Sequence, residues 1–216
     1  MAGGAEEAVA SGRVRPLGCS AVPTSTRAVA LTFDDGPDPL FTPAILDLLA
    51  VWDATATFFV VGLGLAAHPG LVRRMAAEGH EVANHTLGHE RLDRLDQDGV
   101  RAQLRGGAAA IEALSLGRAA RPRLVRPPFG FEGPASRAEL STGGWEVARW
   151  RGCLERHQPK EGAVAQLVGG AHPGDILLAH DGGGPDRTAT VAALPGLLAA
   201  LAARGLAASS IGRLQA

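Results

Sequence analysis

Four short segments carry residue types suited to metal and acid–base chemistry. In Thr32-Phe33-Asp34-Asp35-Gly36-Pro37, two adjacent carboxylates follow the apolar run Val29-Ala30-Leu31. Neighbouring side chains on a regular strand face opposite ways, so both reach one cleft only where the backbone turns, and Gly36-Pro37 supplies a turn. In His85-Thr86-Leu87-Gly88-His89, two imidazoles stand four residues apart, a spacing that on one face of a helical turn lets both reach one divalent ion. With Asp35 added, the set is two histidines and one carboxylate with coordination positions left open, the donor type of catalytic rather than closed structural sites. Arg126-Pro127-Pro128-Phe129-Gly130 offers a fixed cation and exposed amides on a rigid turn, and Asp175 to Gly182 reads as a strand ending in His180-Asp181-Gly182. Taken singly, each segment could be an ordinary solvated turn or strand edge. All four, however, follow short β-type runs, and the C-terminal ends of strands are where α/β sheets and barrels place their active sites.

The elements that must position these residues follow from the hydrophobic period. Strands are expected at 28–33, 56–61, 81–84, 123–126, near 147–151, at 176–179 and at 207–211, with helices around 42–52, over 70–78, near 97–114 and over 188–204. Such alternation favours parallel βαβ units, and periodicity alone leaves a closed barrel and an open doubly wound sheet as two outcomes. Pro43 suits a first helical turn, Gly79 a left-handed helix end, and Pro127-Pro128 forbids helix directly after Arg126. Pro195 predicts a kink or an interruption in the last long helix, and core packing is the expected role of Trp52, Trp145 and Trp150.

With 216 residues, at roughly 150 per domain, one domain is expected: residues 27–216, preceded by a flexible tail or cap over 1–26. A net charge of −1 with 46% hydrophobic residues gives a folded globular composition without the basic footprint that nucleic-acid binding needs. Cys19 and Cys153 have no metal-knuckle spacing, so a metal would use histidines and carboxylates. The first residues lack the apolar run of a secretory signal and no stretch approaches the roughly 20 apolar residues of a membrane span. The expectation is a cytoplasmic protein as the sequence stands, or a secreted one if the true N-terminus is missing.

The four segments, in this order, resemble the hallmarks of the polysaccharide deacetylase family, the metal-dependent carbohydrate esterases of family four. The resemblance extends to 54–62 (ATATFFVVG), 79–85 (GHEVANH) and the closing helix, and so spans roughly 27–213. It implies an α/β fold, a single distorted (β/α)7 barrel related to TIM barrels, holding one divalent ion, most often Zn2+. It also implies hydrolysis of the acetamide of N-acetylglucosamine units in a glycan or a small glycoside. Carried to this chain, Asp35, His85 and His89 would hold the metal, Asp34 would be the general base and His180 the general acid. Arg126 would orient or tune Asp34, Leu178 would line the acetyl pocket, and the Phe129 N–H would hold the oxyanion. One departure stands out: the family's Asp-rich fourth motif, which partners the catalytic histidine, is not recognisable after Trp150. Glu155 is the residue of that stretch that could replace it.

Two other readings remain open from sequence. One is an amidohydrolase acting on a small non-peptide C–N bond such as a cyclic imide or ureide; the other is a non-catalytic carbohydrate-binding relative. Aromatic residues make up only 4% of the chain, leaving little to line a long glycan groove, so a short substrate is expected. Asp181, His172 and His157 are further candidates for supporting groups.

Overall fold

The computed structural model describes residues 18–155 and 162–216. Its strands are β1 (Ala28–Asp34), β2 (Thr57–Val60), β3 (Glu81–Asn84), β4 (Ala120–Val125), β5 (Glu146–Val147), β6 (Gly152–Cys153), β7 (Ile176–His180) and β8 (Ala207–Ser209). Neighbouring strands pair in parallel in the order β5-β4-β3-β2-β1-β7-β6, with β8 beside the start of β1. The ends of this seven-strand path, β5 and β6, are neighbours in sequence, so the sheet curls back on itself. Residues ahead of β1 fill the seam: Cys19 N donates to Val147 O, Arg149 N to Cys19 O, Ile176 N to Ser20 O and Val22 N to Gly174 O. The result is the distorted (β/α)7 barrel, and of the two architectures the period allowed it is the closed one.

Alternation along β1 decides what faces where. Val29, Leu31 and Phe33 point outward and join Ile45, Leu46 and Leu49 of α1 (Phe41–Val51) and Leu194, Leu197, Leu198 and Leu201 of α7 (Thr188–Ala203) in the main core. Ala28 and Ala30 point inward with Phe59, Ala83, Leu124 and Ile176, and Ile211 and Leu214 of α8 (Ile211–Gln215) pack with them. The same inward row continues toward the C-terminal end as Thr32 and Asp34. Toward the other end Thr57 and Glu81 are tied up with Arg121 and the start of α8, so the carboxylate pair and the histidines gather at the C-terminal mouth.

Between these helices run α2 (Gly62–Ala67), α3 (Pro69–Ala77), α4 (Gln97–Glu112), α5 (Pro134–Thr142) and α6 (Ala163–Gly169). Gly79 ends α3 at φ +83, the left-handed value its lack of a Cβ permits. Three local expectations need correction. The strand expected near 147–151 is split into β5 and β6, because the Ala148 and Arg149 carbonyls accept from Arg126 and the pairing opposite 147–149 is taken by Cys19. No interruption occurs at Pro195: α7 runs as one helix, its leucine face buried. Of the tryptophans only Trp145 is in the core; Trp52 is exposed and Trp150 is half-buried.

A glycine couples the barrel to the histidine loop. A Cβ on Gly107 of α4 would lie 2.2 Å from Asn84 Oδ1 and 2.8 Å from the Thr86 carbonyl carbon. Gly107→Ala is therefore expected to destabilise the fold by about 1–3 kcal/mol, the ordinary cost of overpacking, by pushing the loop aside; a lowered urea midpoint checks it.

Candidate active site

Asp34 ends β1 and Asp35 follows it at φ +77. That left-handed residue breaks the strand's alternation, and both carboxylates reach one cleft. His85 follows β3 directly, but the pair His85/His89 does not sit on a helical turn as its spacing suggests. Thr86 and His89 both adopt positive φ, +71 and +60, in a loop held by side chains. Thr86 N donates to Asn84 Oδ1, His89 N to Thr86 Oγ1, and Gly88 N to Gln103 Oε1 of α4. The loop delivers both rings to one point: His85 Nε2 lies 3.3 Å and His89 Nε2 3.0 Å from Asp35 Oδ1.

Donor chemistry shows that this trio fits a cation. His85 Nδ1 is 2.7 Å from the Arg126 carbonyl oxygen. A carbonyl only accepts, so Nδ1 carries a proton, and a ring protonated there alone presents a lone pair at Nε2, toward a carboxylate that is also an acceptor. Acceptors converging within 4.8 Å repel unless a proton or a metal ion lies among them. Burial alone would push Asp35 up, but with a proton and its charge on each imidazole in place of an ion, hydrogen bonds and charge from His85 and His89 hold it well below the ordinary carboxylate range. Arg187 Nη2 takes the other oxygen, Asp35 Oδ2, at 3.1 Å, while its Nε donates to Gly182 O. This leaves Oδ1 to the histidines.

Arg126 is fully buried just beyond β4. Its Nη1 donates to Asp34 Oδ1 at 2.6 Å and to Thr32 Oγ1 at 2.9 Å, its Nη2 to Arg149 O, and its guanidinium lies over the Phe59 ring. The pair orients Asp34, and Oδ2 lies 3.9 Å from His85 Nε2. Phe129 lies in the turn Pro128–Gly130 at φ +59, its exposed ring 4.7 Å from that of His89. Gly130 and Phe131 N–H groups bond within the turn; that of Phe129 has no partner among the described residues.

His180 ends β7 beside Asp34 in register. Its Nδ1 is 3.1 Å from Glu155 Oε2, an ion-pair contact without good hydrogen-bond alignment, while its backbone N–H donates to Glu155 Oε1 at 2.9 Å. Thr190 Oγ1 also donates to Oε1. Glu155 is thus the carboxylate that stands beside His180. Burial lowers the His180 pKa, but the Glu155 contact and the charges of Asp34, Glu155 and Asp35 outweigh it and raise it above the ordinary histidine value. Glu155 is held down at about 2, burial notwithstanding, chiefly by His180. Leu178, two residues before His180 on the same inward face, is buried.

Asp181 is buried beneath the carboxylate turn, accepting from Gly36 N and Thr42 Oγ1. Burial pushes it up to about 7, with Asp35 and Asp34 adding to the rise against the Thr42 bond. His172 lies exposed at the other end of β7, 3.7 Å from Asp175, away from the site; His157 falls outside the described residues. Sequence reasoning missed Arg187, which is 152 positions from Asp35 and follows a Gly-rich turn with nothing in its spacing to single it out.

Known proteins resemble this chain over most of its length. The model of the family described as polysaccharide deacetylase matches residues 21–148. A peptidoglycan-N-acetylglucosamine deacetylase of Bacillus cereus is 36% identical over 192 residues, 85% of this chain and 86% of that protein. A chitooligosaccharide deacetylase of a Bradyrhizobium species is 38% identical over 195 residues, 84% and 88% of the two chains. Among solved structures, the Bc1960 peptidoglycan N-acetylglucosamine deacetylase superposes with a TM-score of 0.81 at 28% identity, covering 96% of each chain. The match runs through the carboxylate turn, the histidine loop and the arginine turn alike, and with identity at this level over most of its length the chain belongs to the polysaccharide deacetylase family.

Proposed function

We propose that this protein is a metal-dependent N-deacetylase that removes the acetyl group from an N-acetylated sugar. The observation that carries the reading is the convergence of Asp35, His85 and His89 acceptor atoms beside a buried, arginine-held Asp34, with His180, charge-paired with Glu155, next to Asp34 on the neighbouring strand. Family relatives whose names give peptidoglycan N-acetylglucosamine and chitooligosaccharides support the substrate class.

Asp35, His85 and His89 would hold the ion, with Zn2+ the fitting choice for two imidazoles and a carboxylate. When bound, such an ion acts as a Lewis acid and lowers the pKa of water toward about 7. Asp34 takes the proton of the attacking water at Oδ2, the oxygen that Arg126 leaves uncommitted. The Phe129 N–H donates to the oxygen that becomes negative in the tetrahedral intermediate, an interaction worth about 2.7–4 kcal/mol where such donors have been removed. His180, kept protonated by Glu155, gives its proton to the departing nitrogen, so that an amine leaves and not an amide anion. Leu178 lies on the inward face where an acetyl methyl would be received, and the exposed Phe129 ring offers an apolar face to a sugar.

Incubation with N-acetylglucosamine and its short oligomers tests the reading: acetate and a new primary amine should appear one to one. Amine without acetate, or hydrolysis confined to cyclic imides, would overturn it. Comparison of monomer, dimer and hexamer tests the short-substrate expectation, which a steep rise with length would contradict.

A pH dependence follows from the Glu155 contact. Glu155 raises the pKa of His180, so Glu155→Gln lowers it, and the protonated acid is lost at a lower pH. The limb of kcat/KM that falls as pH rises should move to lower pH in this variant. An unmoved limb would assign that titration to another group.

A further inference from the structure

A second cluster of ligating atoms lies beside the first. Cys153 on β6 pairs in register with Leu178 on β7 and shares the inward face that carries His180. Its Sγ donates to Glu155 Oε2 at 3.3 Å, and His180 Nδ1 is 3.1 Å from the same oxygen. Ligand atoms of the three residues lie within 4.8 Å of one another, and all three residues are half-buried. Zinc binds thiolate at about 2.3 Å and imidazole or carboxylate near 2.0–2.2 Å, which tetrahedral angles turn into separations of about 3.3–3.6 Å, within a few tenths of an ångström of the two contacts above. Asp35, His85 and His89 contain no sulfur, so the two clusters differ in donor softness.

We propose that Cys153, Glu155 and His180 form a second, weaker site for a thiophilic divalent ion, zinc itself or cadmium, and that filling it silences the enzyme. On binding, the Cys153 thiol and the His180 Nδ1–H each give a proton to solvent, a metal–sulfur and a metal–nitrogen bond form, and no electron changes hands. The ion takes the Nδ1 lone pair and Glu155, so His180 can no longer be an imidazolium; the single N–H left at Nε2 is a far weaker acid. The silencing rests on the deacetylase reading above, whereas the binding does not.

The test uses the full chain, stripped with chelator and titrated with Zn2+ for stoichiometry and activity and with Cd2+ for thiolate-to-metal charge-transfer absorption. Wild type should bind two ions, show the charge-transfer band, and lose activity by about 10²-fold or more, the contribution of a general acid, as the second site fills. Cys153→Ser should bind one ion, lack the band and keep its activity in excess zinc. Cys19→Ser, altering the exposed cysteine, should behave as wild type. A single ion in wild type, or a band that survives in Cys153→Ser, would overturn the site. A second ion and a band with undiminished activity would overturn the silencing. Absence of activity at every zinc level would count against the deacetylase reading, while stoichiometry and band would still decide the site.

Discussion

Replacing Asp34 by Asn is expected to lower kcat by about 10²–10⁴-fold, the usual contribution of a general base, with the ion still bound. The amide keeps an acceptor oxygen for Arg126 Nη1 but offers no basic oxygen to water. Asp34 is not one of the three converging ligands; its Oδ2 stands 3.9 Å from His85 Nε2, whereas Asp35 Oδ1 is 3.3 Å and 3.0 Å from the two imidazoles. The substitution also leaves a fully buried guanidinium without its counter-charge, which in broken buried pairs costs about 3–5 kcal/mol. Arg126 retains the Thr32, Ala148 and Arg149 oxygens and the Phe59 ring, so the variant should fold with a lowered melting temperature. Zinc content of the folded protein, measured beside kcat, separates base loss from ligand loss. Full activity in Asp34→Asn would refute the base assignment.

The opposite pattern is expected of His85→Ala: zinc falls to background and turnover goes with it. His85 is the most constrained of the three proposed ligands, buried, with Nδ1 fixed on the Arg126 carbonyl, which sets the aim of Nε2. Alanine leaves two donors, one of them on the half-exposed His89 loop. Asp35→Ala should do the same and also free Arg187. Because supporting hydrogen bonds alone are worth 10–100-fold in metal affinity, removal of a ligand should exceed that range. Elemental analysis after dialysis against dilute zinc checks it; retention of a full equivalent would remove His85 from the ligand set.

What the sequence could reveal is set by distance along the chain. Each of the four segments is contiguous, and its strand-end placement comes from the adjoining apolar run, so Asp34, Asp35, Arg126 and His180 can be located without coordinates. The alternation of Ala28, Ala30, Thr32 and Asp34 against Val29, Leu31 and Phe33 likewise announces which side of β1 faces the site. Features settled by remote partners are different. The His85–His89 loop takes its shape from Asn84 and from Gln103 on α4, not from helical period, so the spacing alone gave the wrong local geometry. The break between β5 and β6 depends on residues 19–22 and on the Arg126 side chain, neither near it in sequence. Glu155 could be suggested from the gap in a motif, but only the approach of β6 to β7 places it on His180. Arg187 and the fit of Asp181 against Gly36 and Thr42 are products of folding alone.

The most direct test of metal-dependent N-deacetylation is acetate release from short N-acetylglucosamine oligomers, with ion content followed through chelation and zinc add-back. The account predicts that release stops as the ion is removed and returns with about one equivalent of zinc, the capacity of one three-ligand site. Release that continues unchanged in ion-free protein would contradict it.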